Sequence, residues 1–260
     1  MPPPAVSLLT RVRDRGLLPA WISIIALWRA TAGDHTEAMW MSREGAAVLD
    51  GAPLVHPDIW GWAPQAWDFI PTSPGWELLS ALAYRAFGTA GFAVLAFAVT
   101  ATTLGVLAWV ARALGASRIA TIAALIFSST LANGILTSRA GLPAFTLLIA
   151  EFMTFWSIRD RLRRAPRRVA VARTALIAFA FAYLGIWLHG SWTLFSLAAA
   201  GGAGMLMLSP DFGSQRRRIA LTTTAGVASV LATFVGPLGP RVWANTLRVG
   251  AECRGLVKEW

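Results

Sequence analysis

Residues 33–76 have the sequence GDHTEAMWMSREGAAVLDGAPLVHPDIWGWAPQAWDFIPTSPGW. This is the only long segment of the chain that is neither strongly apolar nor basic. It sets six carboxylates against a single arginine and contains five tryptophans. The charged residues are Asp34, Glu37, Glu44, Asp50, Asp58, Asp68 and Arg43, and the tryptophans are Trp40, Trp60, Trp62, Trp67 and Trp76. Apolar runs flank the segment on both sides, so we interpret it as a loop that apolar helices hold at one face of a bilayer.

The composition indicates a polytopic, all-α membrane protein. The 260 residues are 56% hydrophobic and 14% charged, with a mean hydropathy of +0.56, whereas a soluble domain is about a quarter charged. Several apolar runs approach the roughly 20 residues that cross a ~30 Å hydrocarbon core. The net charge of +10 comes almost entirely from arginines in short loops, which is typical of topology signals. We therefore expect no nucleic-acid partner.

The apolar runs predict about seven transmembrane helices, near residues 17–33, 92–113, 119–136, 142–158, 174–188, 191–209 and 219–236. Seven arginines between residues 159 and 173 mark one cytoplasmic loop. The expected organisation is a cytoplasmic leader at 1–16, a transmembrane domain at 17–236 and an extracytoplasmic tail at 237–260. The protein would lie in the plasma or inner membrane with its N-terminus in the cytoplasm. We expect the chain to be the N-terminal part of a longer protein.

The loop at residues 34–91 is predicted to be extracytoplasmic and partly helical. Its prolines and glycines prevent one long helix. A short helix is predicted at about 36–50. A second, amphipathic helix at 76–87 is predicted to lie at the membrane interface, with Trp76 and Tyr84 as its anchors.

The loop carries the first candidate site residues. Asp34, at the end of the first span, could act as a general base or share a divalent ion with Asp58 or Glu37. It could equally cap the next helix, because Asp34 and Glu37 have the spacing of a capping box. His56 and Asp58 could form a metal-ligand pair or a proton relay, or simply a polar turn. No zinc-site spacing is present.

Further candidate site residues are charged residues outside the loop and the tryptophans within it. Arg139 and His189 fall in turns on the predicted outer face. The loop tryptophans, Trp62 among them, could form a platform for a sugar or an interface belt. Glu151, deep in a span, could belong to a proton path or be a protonated structural residue. Arg29 could extend to the interface or face the site.

The order of short motifs resembles that of a protein family. An acid after the first span precedes P-x-x-P-G-W-E at residues 71–77 and Y-R-x-F-G at 84–88. The motifs S-R-A-G-L-P at 138–143, W-L-H-G at 187–190, G-P-L-G at 236–239 and E-W at 259–260 follow. This order resembles the bacterial multi-pass proteins of the GT-C glycosyltransferase superfamily. The chain departs from that pattern at the positions where the family has N-x-H-G, R-P and N-P-x-G.

The resemblance implies a GT-C-like membrane fold and a glycosyltransferase that takes a hexosyl or pentosyl group from a polyprenyl-phosphate sugar at the outer face of the membrane. It makes Asp34 the candidate acid, and Arg139 and His189 the candidate phosphate contacts. The candidate catalytic residues are thus Asp34 and Asp58, and the candidate substrate contacts are Arg139, His189, Glu37, His56 and Trp62. Expected partners are the lipid-linked sugar and membrane lipids. The only cofactor considered is a divalent cation, Mg²⁺ or Mn²⁺. The alternatives are a transporter or lipid-handling protein, or a non-catalytic membrane scaffold.

Overall fold

The computed structural model describes residues 8–33, 35–57, 68–131, 136 and 139–252. Within these ranges the chain is almost entirely helical. The helices are α1 (Leu8–Ala32), α2 (Thr36–Leu49), α3 (Pro74–Phe87), α4 (Ala90–Ala113), α5 (Arg118–Leu131), α6 (Gly141–Arg164), α7 (Arg167–Leu188), α8 (Trp192–Met207), α9 (Gln215–Val235) and α10 (Arg241–Glu252). A minimal antiparallel ladder pairs β1 (His56–Pro57) with β2 (Asp68–Phe69).

The helices confirm a helical membrane protein but not the predicted seven spans. Among the described residues, four helices are long and apolar enough to cross a membrane: α4, α6, α7 and α9. The part of α1 from Gly16 onward and α2 together make a fifth candidate, which bends by 80° between them. The apolar helices α5 and α8 have only 14 and 16 residues, which is less than the roughly 20 that a straight crossing needs.

The two helices predicted within the loop are present as α2 and α3, and both have nearly the predicted bounds. The structure differs from the prediction at both ends of the chain. Helix α1 begins at Leu8, inside the stretch expected to be a leader. The tail was expected only to emerge from the membrane, yet it forms the helix α10, which the sequence reading missed.

The apolar helices form two packed groups. Ile25, Leu104 and Leu125 form the core between α1, α4 and α5. Phe155 and Leu221 belong to the larger core among α6, α7, α8 and α9. A buried hydrogen bond of 2.7 Å between the hydroxyls of Thr103 and Thr146 joins α4 to α6 across the two groups. Each hydroxyl also lies within hydrogen-bonding distance of a carbonyl one turn earlier in its own helix, that of Val99 or Leu142, so the bond adds a polar contact between the helices.

Helices α2 and α3 form a separate layer that packs very closely. A Cβ atom on Gly45 would lie 2.0 Å from the carbonyl oxygen of Glu77, so only glycine permits this approach. Trp76 is 1% exposed and packs with Met41 and Ala140. The prediction that Trp76 anchors α3 at the interface is therefore wrong, because its ring fills the core of this layer. Tyr84, the other predicted anchor, is 49% exposed.

The two ends of the helix bundle differ in character. At one end, the guanidinium of Arg217 donates hydrogen bonds to the carbonyls of Leu162 and Ala165, at 2.6 and 2.8 Å, and so ties the start of α9 to the α6–α7 turn. The α2–α3 layer, the turns at 139–140 and 189–191, and α10 all lie at the opposite end. The arginine-rich loop and the described part of the acidic segment therefore lie at opposite ends of the bundle.

Candidate functional site

Glu37 is the centre of the polar contacts at the end of the bundle that holds α2 and α3. It lies in the first turn of α2. Its Oε1 accepts a hydrogen bond of 3.1 Å from the backbone N–H of Ala140, and its Oε2 lies 3.9 Å from Nε of Arg139. The side chain of Arg139 is 54% exposed. Glu37 thus fixes the turn before α6 while the Arg139 guanidinium stays accessible to a ligand.

His189 follows the last residue of α7 and lies near enough to Glu37 to be affected by its charge. Burial lowers the pKa of His189, and the negative charge of Glu37 partly opposes that effect, so the ring is neutral at pH 7. Its Nδ1 accepts a hydrogen bond of 3.0 Å from the backbone N–H of Ser191. A neutral imidazole that accepts at Nδ1 carries its proton on Nε2. His189 can therefore donate one hydrogen bond from Nε2 to a bound oxygen.

Close backbone packing holds the turn after α7 against the start of α3. The N–H of Gly190 donates a hydrogen bond to the carbonyl of Thr72. A Cβ on Gly75 would lie 2.9 Å from the carbonyl oxygen of Trp187. On the other side, the hydroxyl of Thr193 donates to that of Thr246 in α10, at 3.2 Å. These contacts bring the α3 start, the α7–α8 turn and α10 to one face.

A second polar cluster is buried inside the α2–α3 layer. Glu44 and Glu77 are 1% and 2% exposed. Nε2 of His56 lies 3.3 Å from Oε2 of Glu44. Burial, with a further contribution from the charge of Glu44, raises the pKa of Glu77 to about 7, although a backbone hydrogen bond at Ser73 opposes the shift. Glu77 can therefore exchange a proton near neutral pH, as a general acid or base must.

Three of the seven predicted site residues come together in the structure, namely Glu37, Arg139 and His189. His56 lies instead with Glu44 in the buried cluster. The remaining three, Asp34, Asp58 and Trp62, lie outside the described residues. The capping-box alternative for Glu37 does not describe its contacts, because both of its carboxylate oxygens face the turn at residues 139–140.

Glu77 is the residue that the sequence reading missed. The helical spacing of the sequence could have indicated Glu77, because residues 77, 80, 81 and 84 lie on one face of a helix. That face contains a glutamate, a serine, an alanine and a tyrosine, while Leu79 and Leu82 lie on another face. In water the leucines would be buried, but here Leu79 and Leu82 are 43% and 50% exposed and Glu77 is enclosed.

The sequence allowed two alternatives each for Arg29 and Glu151, and the structure shows what surrounds them. Arg29 is 4% exposed and its guanidinium donates to the carbonyl of Ser129, so it joins α1 to α5 instead of extending to the interface. Glu151 is 1% exposed in the middle of α6. Within the described part of the chain, neither of its carboxyl oxygens has a hydrogen-bond partner.

The described residues do not form a metal centre. No group of three or more His, Cys, Asp or Glu side chains in the described ranges is arranged to hold a metal ion. The divalent-cation site considered from the sequence used Asp34 with Asp58 or Glu37, or else His56 with Asp58, and both Asp34 and Asp58 lie outside those ranges. Arg139 and the Nε2–H of His189 are donors, which suit an anionic oxygen rather than a cation.

Comparisons with protein-family models, with curated proteins and with solved structures gave no significant match to this chain.

Proposed function

We propose that this protein is a GT-C-like glycosyltransferase that transfers a sugar from a polyprenyl-phosphate donor at the membrane surface where α2 and α3 lie. One observation carries the proposal: Glu37, Arg139 and His189 converge from three separate parts of the chain. Together they offer a carboxylate, an accessible guanidinium and a neutral imidazole donor. The motif order of the sequence supplies the substrate class.

In the proposed reaction, Arg139 and His189 bind the phosphate of the donor. A guanidinium can donate two parallel hydrogen bonds to phosphate oxygens, and Nε2–H of His189 adds a third donor. A carboxylate takes the proton of the acceptor hydroxyl as the acceptor oxygen bonds to the anomeric carbon. The bond from that carbon to the phosphate oxygen breaks, and its electron pair leaves with the polyprenyl phosphate. Asp34, two residues before the start of α2 in sequence, is the proposed base.

Electrostatic stabilisation of the leaving phosphate would contribute most to the rate. Removing one aligned donor from such a site typically lowers kcat by about 10²–10³-fold. The position of Arg139 depends on Glu37, because this carboxylate fixes the turn that precedes α6. Glu37 is accordingly a positioning residue in this proposal, and Arg139 and His189 contact the substrate.

The test is transfer from a panel of radiolabelled polyprenyl-phosphate hexoses and pentoses, measured in proteoliposomes as release of polyprenyl phosphate. Arg139→Gln and Asp34→Asn should each lower the rate by about 100-fold or more. Arg85→Gln is the matched control, since it removes another exposed arginine that pairs with a carboxylate, Asp50, at 2.6 Å. Its rate should stay near that of the wild type. Undiminished transfer in Arg139→Gln, or no transfer by the wild type from any donor, would contradict the proposal.

A transporter or lipid-handling protein is the second candidate, and Glu151 favours it. An ionisable residue buried in a membrane helix is costly and is commonly functional. Proton-dependent uptake by proteoliposomes that Glu151→Gln abolishes, without any sugar transfer by the wild type, would favour this alternative. Seven spans, a cytoplasmic N-terminus and a plasma-membrane location remain part of the proposal in either case.

A further inference from the structure

A surface groove of about 990 Å³ runs between α7 and α9, at the end of the bundle away from the proposed transfer site. Three arginines line one end of the groove: Arg167, Arg168 and Arg216. The rest of the lining is apolar except for two threonines, Thr223 and Thr224, and it runs from Val171 on α7 to Leu231 on α9. No acidic side chain is among the described residues that form it. The groove is therefore strongly cationic at one end and apolar along its length.

Among the described residues, no carboxylate forms an ion pair with the three arginines at this end of the groove. Neither α7 nor α9 has an acidic residue in its first turn. Cations at a helix N-terminus are unfavourable, because that end of the helix carries a partial positive charge. Asp160 and Asp211, the nearby carboxylates, contact Arg163, which is outside the groove. An anion between the arginines would be attracted both by their three positive charges and by the partial positive charges at the N-termini of α7 and α9.

The length of the groove matches one leaflet. Fifteen residues separate Arg216 from Leu231 on α9, which corresponds to about 22 Å at ~1.5 Å per residue. Half of a bilayer, with its headgroups, is about 20–22 Å thick. A molecule with its anionic group at the arginines would thus extend its apolar part to about the bilayer midplane.

We propose that this groove binds an anionic phospholipid of the leaflet on the arginine-rich side. The lipid phosphate lies among the guanidiniums of Arg167, Arg168 and Arg216, and an acyl chain follows the apolar wall between α7 and α9. The absence of a carboxylate from the described lining disfavours a zwitterionic lipid, because its ammonium group would find no partner. This lipid site is independent of the proposed glycosyl transfer.

The test is native mass spectrometry of the purified full chain, titrated with dioleoyl phosphatidylglycerol or with dioleoyl phosphatidylcholine. The wild type should retain phosphatidylglycerol in preference to phosphatidylcholine. Arg168→Gln/Arg216→Gln should bind phosphatidylglycerol at least about tenfold more weakly. The matched control, Arg161→Gln/Arg173→Gln, removes the same charge from a neighbouring depression in the protein surface that those two arginines line. It should bind like the wild type.

A second pair of variants tests the apolar wall. Ala175 lines the groove, so Ala175→Phe should fill it and weaken phosphatidylglycerol binding. Ala180→Phe places the same ring at an exposed position of α7 outside the groove and should have no effect. Equal losses in the two arginine doubles, equal retention of both lipids, or full binding by Ala175→Phe would each overturn the proposal. So would displacement of phosphatidylglycerol by millimolar inorganic phosphate, which would indicate a site for the free anion.

Discussion

Replacement of Glu77 by glutamine removes one of the ionisable groups of the buried α2–α3 layer and keeps the shape of the side chain. The pKa of Glu77 is raised from 4.5 to about 7, mainly by burial. The folded state binds the Glu77 proton more tightly than the unfolded state does. Protonation of Glu77 therefore adds to the free energy of unfolding in full below pH 4.5, and this contribution is lost as the pH rises to 7. At about 1.4 kcal/mol per pH unit, the loss is about 3 kcal/mol.

The Glu77→Gln variant should escape this loss, because an amide stays neutral and can still accept the backbone hydrogen bond at Ser73. Wild type and variant should have similar stability at pH 4.5, and the variant should be more stable above pH 7. About 1 kcal/mol shifts Tm by about 2–4 °C in a chain near this size. The expected gap at pH 8 is therefore about 6–12 °C. Tryptophan fluorescence during thermal unfolding in detergent micelles measures it.

Two controls identify the cause of the pH dependence. Asp50→Asn neutralises an exposed carboxylate whose side chain is 70% accessible, and an exposed ion pair contributes little to stability. Its pH profile should follow that of the wild type. Glu44→Gln removes only the smaller cause of the Glu77 pKa shift, the charge of Glu44. The Tm of this variant should therefore still fall between pH 4.5 and pH 8, but by less than the Tm of the wild type. If Glu77→Gln unfolds with the wild-type pH profile, the carboxyl group is not desolvated as the structure indicates.

Two other substitutions test the packing of the fold. Gly45→Ala should lower Tm, since its Cβ would meet the Glu77 carbonyl at 2.0 Å and overpacking typically costs about 1–3 kcal/mol. Gly226→Ala in α9, where nothing lies within 4 Å, should be neutral or slightly stabilising, and equal Tm values for the two variants would contradict the close α2–α3 contact. Arg217→Gln should cost about 1.5–3 kcal/mol, because its guanidinium binds the carbonyls that end α6. Arg173 of α7, which is exposed and lies outside the lipid groove, should tolerate glutamine with little change in Tm, and a larger loss there than at Arg217 would refute these roles.

The helices of the membrane domain were largely predictable, because apolar runs and arginine-rich loops respond to forces that act on each segment separately. Helices α2 and α3 could be predicted for a similar reason, since prolines and glycines limit where they extend. The number of crossings was not predictable in this way. Helices α5 and α8 are apolar enough to have been counted as spans, yet as described they are shorter than a straight crossing requires.

The candidate site was only partly predictable. Glu37, Arg139 and His189 lie at one end of the bundle because α2 and the turns before α6 and after α7 meet there, and the sequence predicted that these segments share a face. The burial of Trp76 and Glu77 could not be predicted from the sequence. It depends on Gly45, whose missing side chain lets α2 and α3 approach, and on surroundings in which leucines can remain exposed. Without the packing partner, α3 looks like a helix that lies on the interface.

The two polar clusters at this end of the bundle share a single helix. Glu37 and Glu44 lie seven residues apart on α2, about two turns, so they occur on the same side of the helix. Glu37 fixes the turn that carries Arg139, while Glu44 lies beside Glu77 and His56. The close contact at Gly45 therefore sets the position of both clusters together. A change that separates α2 from α3 should disturb the Arg139 turn as well, because Glu37 on α2 accepts the hydrogen bond that fixes this turn.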